Sequence, residues 1–239
     1  MKRFVRAVPL LLLLSLLLSL LIAGGQSADP PEVVGHSIEA ADFTGIGGRA
    51  PVFEVEPISA PLLEKMRAST WHEGCPVPLE DLRQLKLSYW DFNDKLATGI
   101  LIVHKDFAQE VAGLFRALFY HGFLIQKMAP VEEYQGSDDA SMAANNTSAF
   151  NCRDVTGQPG KFSNHSWGSA IDINPLTNPY VKGDKVLPPG GRQYLDRTKA
   201  FPGSVLADSF AVKQFAQAGW QWGGIWSSPK DYQHFEKRP

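Results

Sequence analysis

The segment Ser163–Asp172 constrains the fold of this chain more than any other part of the sequence. It places His165 and Asp172 seven residues apart, with Gly168 between them. Isoleucines flank the aspartate on both sides, and this alternation predicts a short strand with Asp172 on its polar face. The glycine and the small residues after it let the chain bend closely, so that a histidine in a loop can meet an aspartate on a strand.

A second histidine lies near the C-terminus, where Asp231 precedes His234 by three residues. Alternation there places His234 and Glu236 on one face of a predicted strand, and a strand beside the first would bring His234 toward His165 and Asp172. Two imidazoles and a carboxylate form the ligand set of an open zinc site, in which water takes the fourth position. One His–Asp pair at this spacing arises often by chance, whereas both segments in this order favour a metal site.

Both segments carry a family resemblance. The run S-N-H-S-W-G-S-A-I-D, from Ser163 to Asp172, resembles the S-x-H-x-x-G-x-A-x-D signature of the D-Ala-D-Ala metallopeptidases. The run D-Y-Q-H that ends at His234 resembles their second motif. The similarity extends from about Phe53 to the C-terminus. It implies zinc as the cofactor and an α+β domain with a small, mainly antiparallel sheet and flanking helices, of the hedgehog/DD-peptidase type.

The resemblance also implies roles for individual residues. His165, Asp172 and His234 become the zinc ligands. Asp231 becomes the general base and then the general acid of peptide hydrolysis, and Arg153 a donor to the developing oxyanion.

Substrate contacts and two alternatives complete the predicted site. Ser163 and Trp226 are candidate substrate contacts, although most aromatic residues near Trp226 are expected to pack against the core. Arg153 can instead form a structural ion pair with Asp138 or Asp154. Asp231 can instead be a turn residue after Ser-Pro-Lys.

Asp231 leaves the cleaved bond open. The dipeptidase and carboxypeptidase branches of the family usually carry glutamate at this position, and aspartate is more similar to the branch of cell-wall endopeptidases and phage endolysins. Removal of a terminal D-Ala and cleavage between L-Ala and D-Glu are therefore both hypotheses, each with a peptidoglycan stem peptide as partner. A non-catalytic, zinc-containing domain that binds the wall is a third, and hydrolysis of a non-wall peptide also stays open.

The N-terminus predicts export. Three basic residues within the first six precede a leucine-rich apolar run over residues 10–23, which is typical of a signal peptide over residues 1–25. The run is shorter than the about 20 residues of a spanning helix, and an uncleaved anchor is the alternative. Residues 26–50 predict a flexible tether and 51–239 the catalytic domain. We therefore expect a secreted or extracytoplasmic protein, in the cell wall or periplasm.

Cysteine usage agrees with export. The chain has two cysteines, Cys75 and Cys152, and they predict a disulfide, with two buried free thiols as the alternative. The net charge of -2 gives no sign of nucleic-acid binding. With 239 residues and 44% hydrophobic content, the chain can bury one core, and we expect a monomer.

Four segments predict the order of elements. Pro78–Leu82 predicts the start of a helix, because proline comes early and acidic residues fill the first turn. Gly99–Val103 and Phe123–Val131 predict strands on either side of a helix over Asp106–Tyr120, with Asp106 as its cap. Together with the two motif strands, this order predicts an α+β domain.

Overall fold

The computed structural model of the protein describes residues 50–238. The predicted signal peptide and nearly all of the predicted tether lie outside these residues. Among the helices of residues 50–238, none combines the length and the apolar character needed to cross a membrane. The described chain mixes helices with short, mainly antiparallel strands, which confirms the predicted α+β class. The strands form several small sheets rather than the single small sheet that was predicted.

The elements follow in chain order. The α-helices are α1 (Ala60–Ala68), α2 (Lys105–Tyr120), α3 (Asp138–Ala143) and α4 (Phe210–Gln217). The strands of the first half are β1 (Phe53–Pro57), β2 (Leu82–Trp90), β3 (Leu96–His104), β4 (Lys127–Met128), β5 (Asn146–Thr147), β6 (Asp154–Val155) and β7 (Gln158–Phe162). Those of the second half are β8 (Ala170–Asp172), β9 (Tyr180–Lys182), β10 (Lys185–Leu187), β11 (Gln221–Trp222), β12 (Lys230–Asp231) and β13 (His234–Glu236).

The N-terminal sheet provides the scaffold. Strands β1, β2 and β3 pair antiparallel, and α2 packs on one face through apolar residues spaced three or four apart. Leu101 and Val103 of β3 pack with the apolar residues of α2 in the main hydrophobic core. Ile102 belongs to a second apolar cluster on the other face of the sheet. Because both faces are covered, the long strands are buried on both sides.

The predicted cap of α2 was wrong. The helix begins at Lys105, one residue before the prediction, and its N-cap is His104, whose Nδ1 accepts a hydrogen bond from the backbone N–H of Asp106 at 3.3 Å. Asp106 therefore lies in the first turn of the helix, where its negative charge interacts favourably with the positive end of the helix dipole.

The two motif segments meet in a second antiparallel sheet with the order β11-β13-β8. Its register places His234 directly opposite Asp172. The two motif strands are therefore neighbours, as predicted. The other face of these strands is apolar: Ile171 and Phe235 are fully buried, and the Phe235 ring lies 4.2 Å from that of Phe215 on α4. This packing fixes the polar face that carries the ligands.

Cys75 and Cys152 lie at bonding distance, with 2.07 Å between their Sγ atoms. The bridge ties the loop after α1 to the residue just before Arg153. It joins positions 77 residues apart.

We expect denatured, unreduced protein to show no free thiol and reduced protein to show two. Replacing both cysteines by serine should lower the free energy of unfolding by about 2–4 kcal/mol, because a long open loop gains entropy in the unfolded chain. Thiol titration and denaturant unfolding measure the two effects. Two thiols before reduction would contradict the bridge.

Candidate metal centre

His165, Asp172 and His234 converge on one point, as the sequence predicted. His165 lies in a 3-10 turn (Asn164–Trp167), Asp172 at the end of β8 and His234 at the start of β13. His165 Nε2 lies 3.2 Å from Asp172 Oδ2 and 3.2 Å from His234 Nδ1, and His234 Nδ1 lies 3.0 Å from Asp172 Oδ1. All three side chains are at most 8% exposed.

The turn that carries His165 depends on Gly168. Its φ is +62°, and a Cβ there would lie 2.5 Å from the backbone nitrogen of His104. Glycine is therefore required both for the left-handed backbone and for the close approach to β3. Ser163 caps the same turn, with its Oγ accepting the N–H of His165 at 3.3 Å.

Hydrogen bonds outside the cluster orient both imidazoles. His165 Nδ1 donates to the carbonyl of Ala149 at 2.5 Å, which leaves Nε2 facing the cluster. His234 Nε2 lies 3.1 Å from Glu236 Oε2, and Asn164 Nδ2 donates to that same oxygen at 2.5 Å. Each imidazole is thus held at one nitrogen and presents the other. Ligand histidines in metal sites have the same arrangement.

The charges in the cluster favour a bound cation. Burial raises the pKa of Asp172, but His165 and His234 lower it by more, so the pKa lies well below its usual range. Burial lowers the pKa of His234, but Asp172 and Glu236 outweigh burial and raise it to about 10. At neutral pH, without metal, Asp172 is therefore a carboxylate and His234 carries a proton. A metal ion that binds the two side chains would displace that proton.

The ligand groups also fit a zinc ion in their spacing. A tetrahedral ion with bonds of about 2.0–2.1 Å has ligand atoms about 3.3 Å apart. His165 Nε2 and His234 Nδ1 lie 3.2 Å apart, and they lie 3.2 Å and 3.0 Å from the Oδ2 and Oδ1 atoms of Asp172, respectively, which is close to that value. Two nitrogens and one carboxylate oxygen match the donor set of catalytic zinc sites.

Asp231 lies beside the cluster on β12, paired with Tyr180 of β9. It is thus a strand residue, not only the turn residue of the alternative. Among residues 50–238, no group hydrogen-bonds to its buried Oδ1. Burial, opposed by the charge on His234, raises the pKa of Asp231 to about 6. Gly223 makes room for it, since a Cβ there would lie 2.9 Å from the Asp231 Cβ.

Arg153 forms an ion pair and also lies at the cavity. Its Nη2 lies 2.8 Å from Asp138 Oδ2, so the structural ion pair left open by the sequence is present. Its side chain nevertheless lines the cavity of the cluster. Backbone hydrogen bonds to Ser166 Oγ at both the N–H and the carbonyl fix the residue close to the His165 turn.

The cluster opens into a cavity of about 400 Å³. Ser163 and Trp226, the predicted substrate contacts, both line it, and the Trp226 ring lies 5.5 Å from that of His234. The lining also includes residues to which the sequence assigned no role: Asn164, Lys161, Tyr180, Lys182, Gln233, Glu236 and Arg238. The two-residue alternation had placed Glu236 on the same face as His234 without giving it a role. Nothing in the sequence indicated Asn164.

A second group of metal-ligating side chains lies away from this cavity. His72, Cys75 and Cys152 have ligand atoms within 4.8 Å of one another. The two sulfur atoms are bonded to each other, however, and a disulfide leaves no thiolate to bind a metal. This group is therefore part of the bridge.

The comparison with known families supports a peptidase. Residues 156–237 match the family model described as D-alanyl-D-alanine carboxypeptidase. The match covers both motifs and confirms the resemblance to the D-Ala-D-Ala metallopeptidases; Arg153 and both cysteines lie before it. Neither the curated proteins nor the solved structures gave a significant match. The hedgehog/DD-peptidase type of fold stays a prediction.

Proposed function

We propose that the protein is an exported zinc metallopeptidase that hydrolyses peptidoglycan stem peptides in the manner of a D-alanyl-D-alanine carboxypeptidase. One observation carries the proposal: the buried ligands His165, Asp172 and His234 lie next to a carboxylate, Asp231, whose Oδ1 has no partner among residues 50–238. A structural metal site has no need of an extra carboxylate beside its ligands. A hydrolase needs one to move protons.

The proposed hydrolysis needs a Lewis acid, a group that transfers protons and a positive charge beside the oxyanion. Zinc bound to the three ligands would supply a Lewis acid that polarises a carbonyl and makes water acidic near neutral pH. Asp231 accepts the proton of the attacking water and later gives it to the leaving amine. Arg153 supplies a fixed positive charge to the oxyanion, with Asp138 holding its guanidinium in place.

The exposed charges at the cavity support an acidic peptide as substrate, since the acidic residues of the lining, Asp138, Asp172, Asp231 and Glu236, are buried or half-buried. Lys161, Lys182 and Arg238 line it, and all three are exposed. Stem peptides carry several carboxylates, which such a lining attracts. A wall substrate also agrees with the export predicted from the N-terminus. The second candidate reaction, cleavage between L-Ala and D-Glu, is favoured by Asp231 in place of glutamate.

A defined stem pentapeptide, incubated with zinc-loaded protein and with chelated protein, distinguishes these reactions by product mass. Zinc-dependent loss of one terminal alanine supports the carboxypeptidase. Release of the stem after L-Ala supports the endopeptidase. Zinc binding without any product would favour the non-catalytic wall-binding domain.

Replacing Glu236 by alanine should weaken zinc binding by about 10–100-fold, because the outer partner that orients His234 is lost. Competition with a chromogenic chelator measures the affinity. Glu110, which instead pairs with Lys237 at 2.9 Å, provides the matched control, and Glu110→Ala should leave the affinity unchanged. Equal affinities in both variants would show that Glu236 does not support the site.

A further inference from the structure

His72 lies beside the Cys75–Cys152 bridge, and the proposed function gives these three residues no chemical task. Their ligand atoms lie within 4.8 Å of one another, and none of the three lines the cavity of the candidate metal centre. The bonded sulfurs offer no thiolate. Reduction of the bridge would leave two thiols and an imidazole at the same place, and two thiolates with an imidazole are a donor set that zinc binds.

The imidazole of His72 already has the orientation of a metal ligand. Its Nδ1 lies 2.8 Å from the carbonyl oxygen of Glu73. Because a carbonyl only accepts hydrogen bonds, Nδ1 carries the proton, and the lone pair of the neutral imidazole is on Nε2. Nε2 lies 3.7 Å from Cys152 Sγ. The ring therefore directs its lone pair toward the bridge, and metal-bound histidines are held by the same kind of outer hydrogen bond.

The backbone beside Cys75 suits a thiolate. The N–H of His72 donates to Cys75 Sγ at 3.2 Å, and the N–H of Cys75 donates to the carbonyl of His72 at 3.1 Å. Hydrogen bonds to an ionised acceptor are stronger than those to a neutral one, so the contact to Sγ strengthens when the sulfur becomes charged. The second bond closes the turn and keeps His72 and Cys75 close to each other.

Hydrogen bonds hold the two cysteines near each other without the bridge. The N–H of Cys152 donates to the carbonyl of Thr70 at 3.0 Å, and Trp71 Nε1 donates to the carbonyl of Val77 at 2.9 Å. The Cα atoms of the two cysteines lie 6.0 Å apart. A tetrahedral zinc ion with Zn–S bonds of about 2.3 Å holds its sulfurs about 3.8 Å apart. Rotation about the two Cα–Cβ bonds gives this separation without a change of the backbone.

We propose that reduction of the Cys75–Cys152 bridge opens a second zinc site, formed by the two cysteines and His72. The reductant is a dithiol, which passes two electrons and two protons to the S–S bond and becomes a disulfide itself. Zinc then displaces both thiol protons and binds two thiolates and His72 Nε2, with water in the fourth position. Cys75 is only half-buried, which gives a dithiol access to the bridge. The inference does not depend on the proposed peptidase function.

Zinc titrations of unreduced and reduced protein test this inference. The protein is reduced with dithiothreitol, desalted without oxygen and titrated. Reduced wild type should bind one equivalent more than unreduced wild type. His165→Ala, which lacks a ligand of the first centre, should bind nearly none when unreduced and one when reduced. Cobalt in place of zinc should give thiolate-to-metal absorption bands only after reduction, which identifies cysteine sulfur as the ligand.

Two further variants test the ligand set. His72→Ala should weaken binding of the additional ion in reduced protein by at least about 10-fold, since even the outer partner of a ligand is worth that much. His121 provides the matched control: it is an exposed histidine that stacks on Phe210 and belongs to neither group of metal-ligating side chains. His121→Ala should leave the affinity unchanged. Replacing both cysteines by serine should remove the additional equivalent.

Three outcomes would overturn the inference. The first is an unchanged zinc content after reduction, without thiolate–cobalt bands. The second is equal affinity of reduced wild type and reduced His72→Ala for the additional ion. The third is reduced protein that unfolds and does not regain its circular dichroism spectrum with zinc, because an ion bound by the folded site stabilises the fold. An additional bound ion in protein that cleaves no peptide would support the inference and count against the proposed function alone.

Discussion

Replacing Asp231 by asparagine should lower kcat for stem-peptide hydrolysis by at least about 100-fold while the protein keeps its zinc. Asparagine has nearly the same shape, but it cannot take the water proton or return it to the leaving amine. Asp231 is not among the three converging ligands, so metal content should not change. Product assays and zinc analysis on the same preparation measure the two effects.

The pH profile and a second variant provide the controls for Asp231. The base works only when deprotonated, and its pKa is raised above the usual value, to about 6. Wild-type activity should therefore fall as pH decreases through this region, at a somewhat lower pH if a bound cation stabilises the carboxylate. Asp231→Glu keeps a carboxylate that can take and return a proton, and it should retain far more activity than Asp231→Asn. Equal activity of Asp231→Asn and wild type would exclude the base role.

Replacing His165 by alanine should reduce bound zinc from one ion per chain to nearly none and abolish hydrolysis. The variant removes one of the three ligands and leaves only Asp172 and His234, whose Oδ1 and Nδ1 atoms lie 3.0 Å apart. Removing a single ligand from a three-ligand site leaves too few donors to hold the ion. Metal analysis after dialysis against a weak chelator measures this effect.

His72 is the matched control for His165. It is an exposed histidine beside the disulfide, and its Nε2 lies 3.7 Å from Cys152 Sγ. His72→Ala should keep one zinc per chain and full activity, because the bonded sulfurs offer no thiolate. Loss of zinc in His72→Ala, with retention in His165→Ala, would place the metal at the bridge and contradict the candidate centre.

The ligand cluster could be predicted because its signals are local. Gly168 marks the turn, and alternation marks the two strands that carry Asp172 and His234. Two such strands need only pair in the right register to bring the ligands together, and the opposed positions of Asp172 and His234 meet that need. The main helix was predicted for a similar reason, since its apolar face repeats every three or four residues.

Strand β2 could not be predicted from local signals. The proline and acids at Pro78–Leu82 do start a helical turn, but it ends after Asp81 and the chain continues as a strand. The spacing of Leu82 and Leu85 is compatible with a helix. In the structure they are buried in two different clusters on opposite faces of the sheet, which is the arrangement of a strand. Both clusters include distant parts of the chain, so local sequence could not indicate them.

The predicted strand over Phe123–Val131 shrank to two residues for a different reason. Asparagine side chains take the place of a neighbouring strand: Asn174 Oδ1 accepts the N–H of Gln126, and Asn146 Oδ1 accepts that of Ala129. Contacts of this kind join residues 48 and 17 positions apart. The contact of Glu236 with Asn164 escaped prediction in the same way, because it depends on which segments meet at the cavity.

A zinc titration of metal-free protein, followed by hydrolysis of a defined stem pentapeptide, tests the central claim most directly. The structure predicts no hydrolysis without metal, a rate that rises in proportion to added zinc, and a plateau at one equivalent per chain. Full activity in metal-free protein would contradict the role of the His165–Asp172–His234 centre. One equivalent of bound zinc without cleavage of any stem peptide would contradict the proposed peptidase.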